Sequence, residues 1–379
     1  MNVQPAIRLR RLGAGLLTAL LALLAVLGVL DIATRLLDPG REALPFRGVD
    51  VFEDRRFRPA AMWGTRTLKN PSPFTNVLTG EYIPGLRFRF IYPSNPRGYF
   101  DADHAVEAAI NTSGLRGPEI ASPKPRGSFR VLCVGDSFTF GEGVREEDTF
   151  VARLRTLLGC GGDGARCEVI NCGVSSYNTA DEIAYLENVW VNLEPDLVLI
   201  VFVINDAYSD AVFGPLHRGW VEGVTRLSEA RYIAGSRFLA VAYDRLLRWR
   251  KARETRRIYL SQFTESPLIS GHNWDDCRAA LARAADLARE RQFRLGLVIF
   301  PELYRLDNRY PFASAHRLVA DEAARLGIPV LDLLDAFRGR DARALWVHPT
   351  DHHPNEEAHR IAAEAIHGFL DVAAGDLGT

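Results

Sequence analysis

The feature of this sequence that most constrains its fold is a regular alternation of short apolar runs and helical patterns over residues 129–371. Each apolar run has the length of a buried strand, and the stretches between them carry apolar residues at helical spacing. Near-continuous apolar strands that alternate with helices predict a parallel sheet covered by helices on both faces. The predicted strands are residues 129–134, 168–171, 196–203, 295–300 and 329–333, and the predicted helices are residues 148–158, 179–191, 274–291, 314–326 and 355–371.

Composition agrees with a folded globular protein. The chain has 379 residues, of which 47% are hydrophobic and 25% charged, enough for one large or two modest domains. A formal net charge of −1 gives no indication of a nucleic-acid partner. No Cys/His spacing typical of zinc occurs, so neither a metal nor a cofactor is predicted. Cys160 and Cys167 flank a Gly-rich segment and could form a disulfide in an oxidising compartment.

Residues 12–30 form an uncharged apolar segment near the N-terminus. Its length is close to the roughly 20 residues that cross a bilayer core, and Arg8, Arg10 and Arg11 precede it. The positive-inside rule then places residues 1–11 in the cytoplasm. We therefore predict a single-pass signal-anchor in the inner (cytoplasmic) membrane, with the domain that carries the alternating pattern in the periplasm or outside the cell. The alternative is a cleaved signal peptide, but the apolar run is long and no Ala-x-Ala site follows.

Between the anchor and the alternating pattern, residues 31–127 read as a linker followed by a β-containing accessory region with a strand-like run at 86–91. This region either covers the domain that follows it or helps to bind an extended ligand. That main domain is predicted at residues 128–379, with a helical insertion at about 207–273. Its Arg-rich section, 231–259, indicates either a solvated lid helix or a surface for anionic lipids or an acidic glycan.

A candidate nucleophile, Ser137, follows the first predicted strand in the segment 134–141, which reads VGDSFTFG. A Ser on a tight turn between Gly residues has an exposed hydroxyl and free backbone N–H groups nearby, as nucleophilic catalysis requires. Asp136 is expected to orient this turn through hydrogen bonds to the backbone. Gly173 and Asn205 also follow predicted strands, and the carboxyl ends of parallel strands meet at one sheet edge, where ligands bind.

The candidate base lies near the C-terminus, where residues 351–355 read DHHPN. His353 would take the Ser137 proton, and Asp351 would fix its tautomer and stabilise the imidazolium. Pro354 is expected to begin a helix, which would leave His353 on the loop before it. Other candidates for the base are His348, His352 and His359, of which His359 is expected inside the helix and structural. Glu302 follows the fourth predicted strand and would either line the site or serve as a structural cap.

Four sequence blocks together resemble those of the SGNH/GDSL hydrolase family, the GDSL-like lipases and acylhydrolases. These blocks lie at residues 134–141, 171–173, 203–206 and 351–355. The resemblance extends over roughly residues 128–372. It implies a flavodoxin-like three-layer α/β/α sandwich with about five parallel strands and an acyl-Ser137 intermediate, without a cofactor. It also implies that the oxyanion donors are the N–H of Ser137, the N–H of Gly173 and the side chain of Asn205.

The chain departs from the family in one respect. The usual spacing is Asp-x-x-His, which would put Thr350 in the acid position, whereas this chain has Asp-x-His. We expect a serine-dependent acyl or acetyl esterase acting on a small-molecule or glycan ester of the cell envelope or exterior, such as an O-acylated glycan. The alternatives are an O-acetyltransferase for a cell-surface polysaccharide and an inactive glycan-binding or scaffold module. The membrane is the expected partner through residues 12–30, and protein partners are not indicated.

Overall fold

The computed structural model describes most of the sequence needed to place the site. It covers residues 4–37, 49–51, 82, 84–92, 94–160, 166–175, 177–207, 272–349 and 351–374, with isolated positions 236, 238, 239, 242 and 246. Nearly all of the Arg-rich section predicted at 231–259 lies outside the described residues, as do Thr350 and most of the linker before residue 82.

Two compact units make up the chain: residues 1–47 with 218–256, and residues 48–217 with 257–379. The first unit contains helix α1, Gln4–Leu37, whose Asp31 accepts hydrogen bonds from Ser236 and from the backbone of Phe238, each 3.0 Å long. Among the residues described here, no helix combines the length and apolar character needed to cross a membrane. The predicted domain limits stay a prediction.

The second unit is built on a five-stranded sheet in which every neighbouring pair is parallel. Its spatial order is β5-β4-β6-β7-β8, the flavodoxin-like arrangement in which the order reverses between β4 and β6. A three-stranded antiparallel sheet, β1-β2-β3, and a hairpin, β9-β10, complete the strands. Their bounds are β1 Val49–Val51, β2 Arg87–Ile91, β3 Ala105–Ala109, β4 Phe129–Gly135, β5 Cys167–Gly173, β6 Leu197–Phe202, β7 Arg294–Ile299, β8 Val330–Asp332, β9 Trp346–His348 and β10 Asp351–Pro354.

Helices follow the strands of the parallel sheet, as the alternating pattern predicts. Side-chain caps begin several of them: Thr149 accepts from the N–H of Ala152, and Asn178 from that of Asp181. After α1, the described helices of this unit are α2 Ser137–Phe140, α3 Phe150–Leu157, α4 Thr179–Asn188, α5 His272–Arg291, α6 Ala313–Arg325, α7 Leu334–Phe337 and α8 Glu356–Ala374.

The hydrophobic core lies on both faces of the parallel sheet. All six residues of β6 are buried, and β4 is buried from its second residue onward, which explains their continuous apolar sequences. The accessory region joins this core through Tyr82 and Phe88, which pack near the ring of Phe140. The described part of the accessory region is therefore packed on the catalytic fold.

Candidate active site

Ser137 begins the four-residue helix α2 directly after β4. Asp136 caps this helix, because its Oδ1 accepts the N–H of Phe138 at 2.8 Å. Gly173 lets β5 pass close beside α2: a Cβ at this position would overlap the backbone of Thr139 and Phe140. Ser137 therefore sits on a sharp strand-to-helix turn with a relative exposure of only 8%.

Arg116, which the sequence did not indicate, fixes the other end of α2. This fully buried side chain donates to the carbonyl oxygens of Phe140, Gly141 and Val144 at 2.5–2.9 Å. Its guanidinium also lies over the Phe140 ring, 4.8 Å from the centroid. Burial lowers the pKa of Arg116 to about 10. The last carbonyl groups of α2 are thus satisfied inside the protein, which stabilises the nucleophile turn.

The structure brings Ser137, His353 and Asp351 into one hydrogen-bonded chain. His353 Nε2 lies 2.9 Å from Ser137 Oγ, and His353 Nδ1 lies 2.6 Å from Asp351 Oδ1. The two C-terminal residues belong to strand β10, so the prediction of a loop is wrong here. In a strand, residues two apart point to the same face, which is how the Asp-x-His spacing pairs the two side chains.

The charges of this chain are mutually stabilised. Burial opposes ionisation of Asp351, but the attraction of His353 and its hydrogen bonds lower the pKa of Asp351 to about 2. Burial likewise opposes protonation of His353, yet Asp351 and Glu142 raise the pKa of His353 to about 10. The site therefore favours the imidazolium–carboxylate pair, the charge state formed when His353 takes the Ser137 proton.

Tyr92 of the accessory region completes this arrangement. Its hydroxyl donates to Asp351 Oδ2 at 2.9 Å, so both oxygens of Asp351 are occupied. The Tyr92 ring is buried and stacks on Phe100, with centroids 4.4 Å apart. A rigid donor of this kind restricts rotation of the carboxylate and keeps Oδ1 towards His353. The accessory region thus contributes directly to the geometry of the site.

We expect Tyr92→Phe to lower kcat/KM about tenfold, because a hydrogen bond to a charged group is lost while the ring packing remains. Steady-state hydrolysis of p-nitrophenyl acetate measures this effect. Tyr304→Phe is the matched control, since Tyr304 is 42% exposed. An unchanged kcat/KM in Tyr92→Phe would contradict the orienting role.

The three groups predicted to donate to the oxyanion lie around Ser137, but they differ in how far their N–H groups are already hydrogen-bonded. As the first residue of α2, Ser137 has an N–H with no acceptor inside the helix. Asn205 follows β6 and donates from Nδ2 to Asp136 Oδ2 at 2.8 Å, and its amide nitrogen carries a second hydrogen. The N–H of Gly173 donates to the Asn171 side chain at 2.9 Å. In this structure Gly173 serves close packing, while Ser137 and Asn205 carry the remaining donor capacity.

The other candidate histidines are held away from Ser137 Oγ. His348 is bonded through Nε2 to Ser94 Oγ at 2.9 Å, and His352 stacks on Trp346 with centroids 3.8 Å apart. His359 is fully buried in α8 and accepts the N–H of Phe150 at 3.1 Å, the structural role predicted for it. Among these residues, His353 alone has the contacts of a base.

Carboxylates other than Asp351 also surround His353. Glu142, which the sequence reading overlooked, has Oε2 at 3.6 Å from His353 Nε2. Burial raises the pKa of Glu302 to about 7, an effect that the charge of His353 opposes. Within the described ranges, no group of three or more His, Cys, Asp or Glu residues is arranged to hold a metal ion.

A flavodoxin-like sheet with Ser, His and Asp at its carboxyl edge defines a serine hydrolase. The model of the GDSL-like Lipase/Acylhydrolase family matches residues 133–361. The chain belongs to this family and is a serine esterase of the GDSL type.

Solved structures with a similar fold are distant in sequence, and no curated protein matches the chain. LAE5, an alpha/beta hydrolase from the metagenome of Lake Arreo, Spain, is 17% identical, with 64% of this chain and 95% of that chain covered and a TM-score of 0.40. The acetylxylan esterase Axe2 from Geobacillus stearothermophilus is 18% identical, with 64% and 95% covered and a TM-score of 0.39. The acetyl xylan esterase AlAXEase is 15% identical, with 63% and 98% covered and a TM-score of 0.40.

Proposed function

We propose that this protein hydrolyses an acyl ester of the cell envelope or cell exterior, such as an acetylated glycan, through an acyl-Ser137 intermediate. The observation that carries the reaction is the hydrogen-bonded chain from Ser137 Oγ through His353 to Asp351 Oδ1. A Ser hydroxyl is a poor nucleophile by itself and needs such a base. The contacts of Tyr92 and Arg116 hold both ends of the arrangement in place.

In the first half of the reaction, Ser137 Oγ attacks the acyl carbon while its proton passes to His353 Nε2. The new imidazolium is stabilised by Asp351, and the oxyanion is positioned to accept hydrogen bonds from the Ser137 N–H and Asn205 Nδ2. The ester C–O bond then breaks, and the His353 proton goes to the departing alkoxide. The products of this half are a free alcohol and acyl-Ser137.

In the second half, a water molecule replaces the alcohol. His353 Nε2 takes one water proton while the water oxygen bonds to the acyl carbon. The bond to Ser137 Oγ then breaks, and His353 returns the proton to the hydroxyl. The net products are a carboxylic acid and the regenerated enzyme.

The proposal is tested by release of p-nitrophenol from acetate, butyrate and octanoate esters by the full-length protein in detergent. We expect measurable turnover, with the chain-length profile reporting the size of the acyl pocket. Acid release with no acyl group gained by an added polysaccharide would separate hydrolysis from the alternative of acyl transfer. A folded protein that turns over none of the esters would contradict the proposed hydrolysis.

One observation supports a location outside the cytoplasm, and a second supports contact of α1 with lipid. Cys160 and Cys167 form a disulfide, a bond that persists mainly in oxidising compartments. The apolar side chains of Leu21, Leu24 and Val29 in α1 are 57%, 55% and 66% exposed, as expected of a helix that contacts lipid. We therefore propose that residues 12–30 anchor the protein in the inner membrane with its C-terminal part outside. Recovery of the protein from the soluble fraction of lysed cells, without membranes, would contradict the anchor.

A further inference from the structure

Glu142 lies beside the reacting nitrogen of the base. Its Oε2 is 3.6 Å from His353 Nε2, the atom that bonds Ser137 Oγ at 2.9 Å. The side chain of Glu142 is only 15% exposed. The separation from His353 is longer than a hydrogen bond, so the carboxylate adjoins the base without occupying it. Its position places an acceptor next to the point where proton transfer occurs.

The backbone around Glu142 is fixed on the nucleophile turn. Its N–H and that of Gly141 both donate to the Ser137 carbonyl, at 3.2 and 2.9 Å. Gly141 and Gly143 have φ values of +85° and +76°, a conformation that favours glycine. At Gly143 a Cβ would also overlap the Tyr92 side chain. The chain thus reverses sharply on either side of Glu142.

The carboxylate is itself oriented by a short relay of hydroxyl groups. Tyr82 donates to Ser175 Oγ at 2.9 Å, and the Ser175 side chain is hydrogen-bonded to Glu142. Burial raises the pKa of Glu142, whereas His353 and the Ser175 hydrogen bond lower it. The Glu142 carboxylate is therefore linked through Ser175 to Tyr82 of the accessory region, and its Oε2 lies next to His353.

We propose that Glu142 binds the hydrolytic water and makes water the preferred acceptor of the acyl group. This inference rests on the proposed hydrolysis. Water has two O–H bonds: one proton goes to His353 Nε2, and the other O–H donates to Glu142 Oε2. The water oxygen is then fixed between the base and the acyl carbon, as an efficient attack requires.

The proton and electron balance of the step is unchanged by Glu142. The water oxygen forms a bond to the acyl carbon, His353 receives one proton, and Glu142 keeps its charge and only accepts a hydrogen bond. When the Ser137 Oγ–acyl bond breaks, the proton passes from His353 to Ser137. A simple alcohol has a single O–H, which it must give to His353, so it gains nothing from Glu142.

Partitioning of the acyl-enzyme between methanol and water tests this role. Full-length protein in detergent is given p-nitrophenyl acetate at a fixed methanol concentration, and methyl acetate and acetate are quantified. Both acceptors attack the same intermediate through the same base. Any effect of Glu142 on the charge of His353, or on formation of the intermediate, therefore cancels in the product ratio.

We expect Glu142→Ala to raise the ratio of methyl acetate to acetate about 10- to 100-fold, the range for loss of a hydrogen bond to a charged group. Glu142→Gln keeps the shape and a neutral acceptor oxygen, so its ratio should fall between those of the wild type and Glu142→Ala. Glu147→Gln is the matched control, because Glu147 is exposed in the 3-10 helix Glu146–Asp148.

The outcomes separate this inference from the proposed function. An unchanged product ratio in active Glu142→Ala and Glu142→Gln proteins would overturn the water-binding role and leave the hydrolysis intact. An equal fall of methanolysis and hydrolysis would show that Glu142 acts only through His353 or through the fold. A wild-type protein that forms no acyl-enzyme would overturn the proposed function and this inference together.

Discussion

Replacing Ser137 by Ala is expected to lower turnover of p-nitrophenyl acetate by at least about 10⁴-fold and to abolish covalent labelling by a fluorophosphonate. The physical reason is that Ser137 Oγ is the hydroxyl bonded to His353 Nε2, so its removal leaves the base without its nucleophile. His353→Ala should lower turnover by a similar factor, because the Ser137 hydroxyl then has no base to take its proton. Because the two residues act as a unit, turnover by the double variant should be about the same as turnover by either single variant.

The control for this prediction is His352→Ala. His352 neighbours the base in sequence, but it stacks on Trp346, so its removal should leave turnover within severalfold of the wild type. Thermal unfolding of each variant shows that the protein is still folded. Persistent labelling of Ser137→Ala, or a larger loss in His352→Ala than in His353→Ala, would contradict the assignment.

The architecture could be predicted because its signals are local. The apolar run at 129–134 became β4, Phe129–Gly135, and the helical pattern at 274–291 became α5, His272–Arg291. A parallel sheet buried on both faces leaves continuous apolar sequences, and the turns at the ends of β4 and β5 carry a cap, Asp136, and a glycine, Gly173. The same locality explains why Ser137 and His353 could be proposed from short motifs alone.

The contacts that hold the site could not be read in this way. Tyr92 and Asp351 are separated by 259 positions, and Arg116 reaches the end of α2 over 24 to 28 positions. Neither residue belongs to a recognisable sequence motif. An aromatic residue or an Arg in an irregular region is usually expected at the surface, so neither is predicted to support the site. Only the folded chain shows that the accessory region orients Asp351 and supports the turn that carries Ser137.

Gly173 illustrates a motif residue whose position could be predicted from the sequence and whose contacts could not. The sequence placed it at a strand end beside the nucleophile, and β5 does end there. Its N–H is bonded to Asn171 Oδ1, and the lack of a side chain allows contact with α2. A glycine can offer its backbone N–H to a substrate, or its lack of a side chain can let another segment approach. Which of these is used depends on the residues around it in the fold, and the sequence alone does not reveal them.

Asp351→Asn is expected to lower kcat/KM by about 10³- to 10⁴-fold and to move its pH dependence. In the wild type, Asp351 and Glu142 raise the pKa of His353 to about 10 against the effect of burial. Only neutral His353 can accept the Ser137 proton, so wild-type kcat/KM should rise with pH up to about 10. Without the Asp351 charge, the pKa of His353 falls towards its ordinary value of about 6.5, and the rise should end at lower pH.

The free energy of unfolding should depend on pH, in a direction that follows from the pKa shifts of the two paired residues. The folded-state pKa of His353 is raised, so the ion pair contributes fully below about pH 6.5 and its contribution is lost as the pH rises through about 10. Asp351 has a lowered pKa of about 2, so the same pair is also lost in strong acid. The difference in unfolding free energy between wild type and Asp351→Asn should therefore shrink at both extremes.

A matched control comes from a second His–Asp pair on the surface. His367 Nδ1 lies 3.4 Å from Asp371 Oδ2, and the Asp371 side chain is 63% exposed. Asp371→Asn should leave both kcat/KM and its pH profile unchanged, because exposed ion pairs are screened by solvent. If kcat/KM of Asp351→Asn still rose up to the same pH as that of the wild type, the ionisation that limits the reaction would belong to a group other than His353. The predicted coupling of Asp351 to His353 would then be wrong, even if activity had fallen.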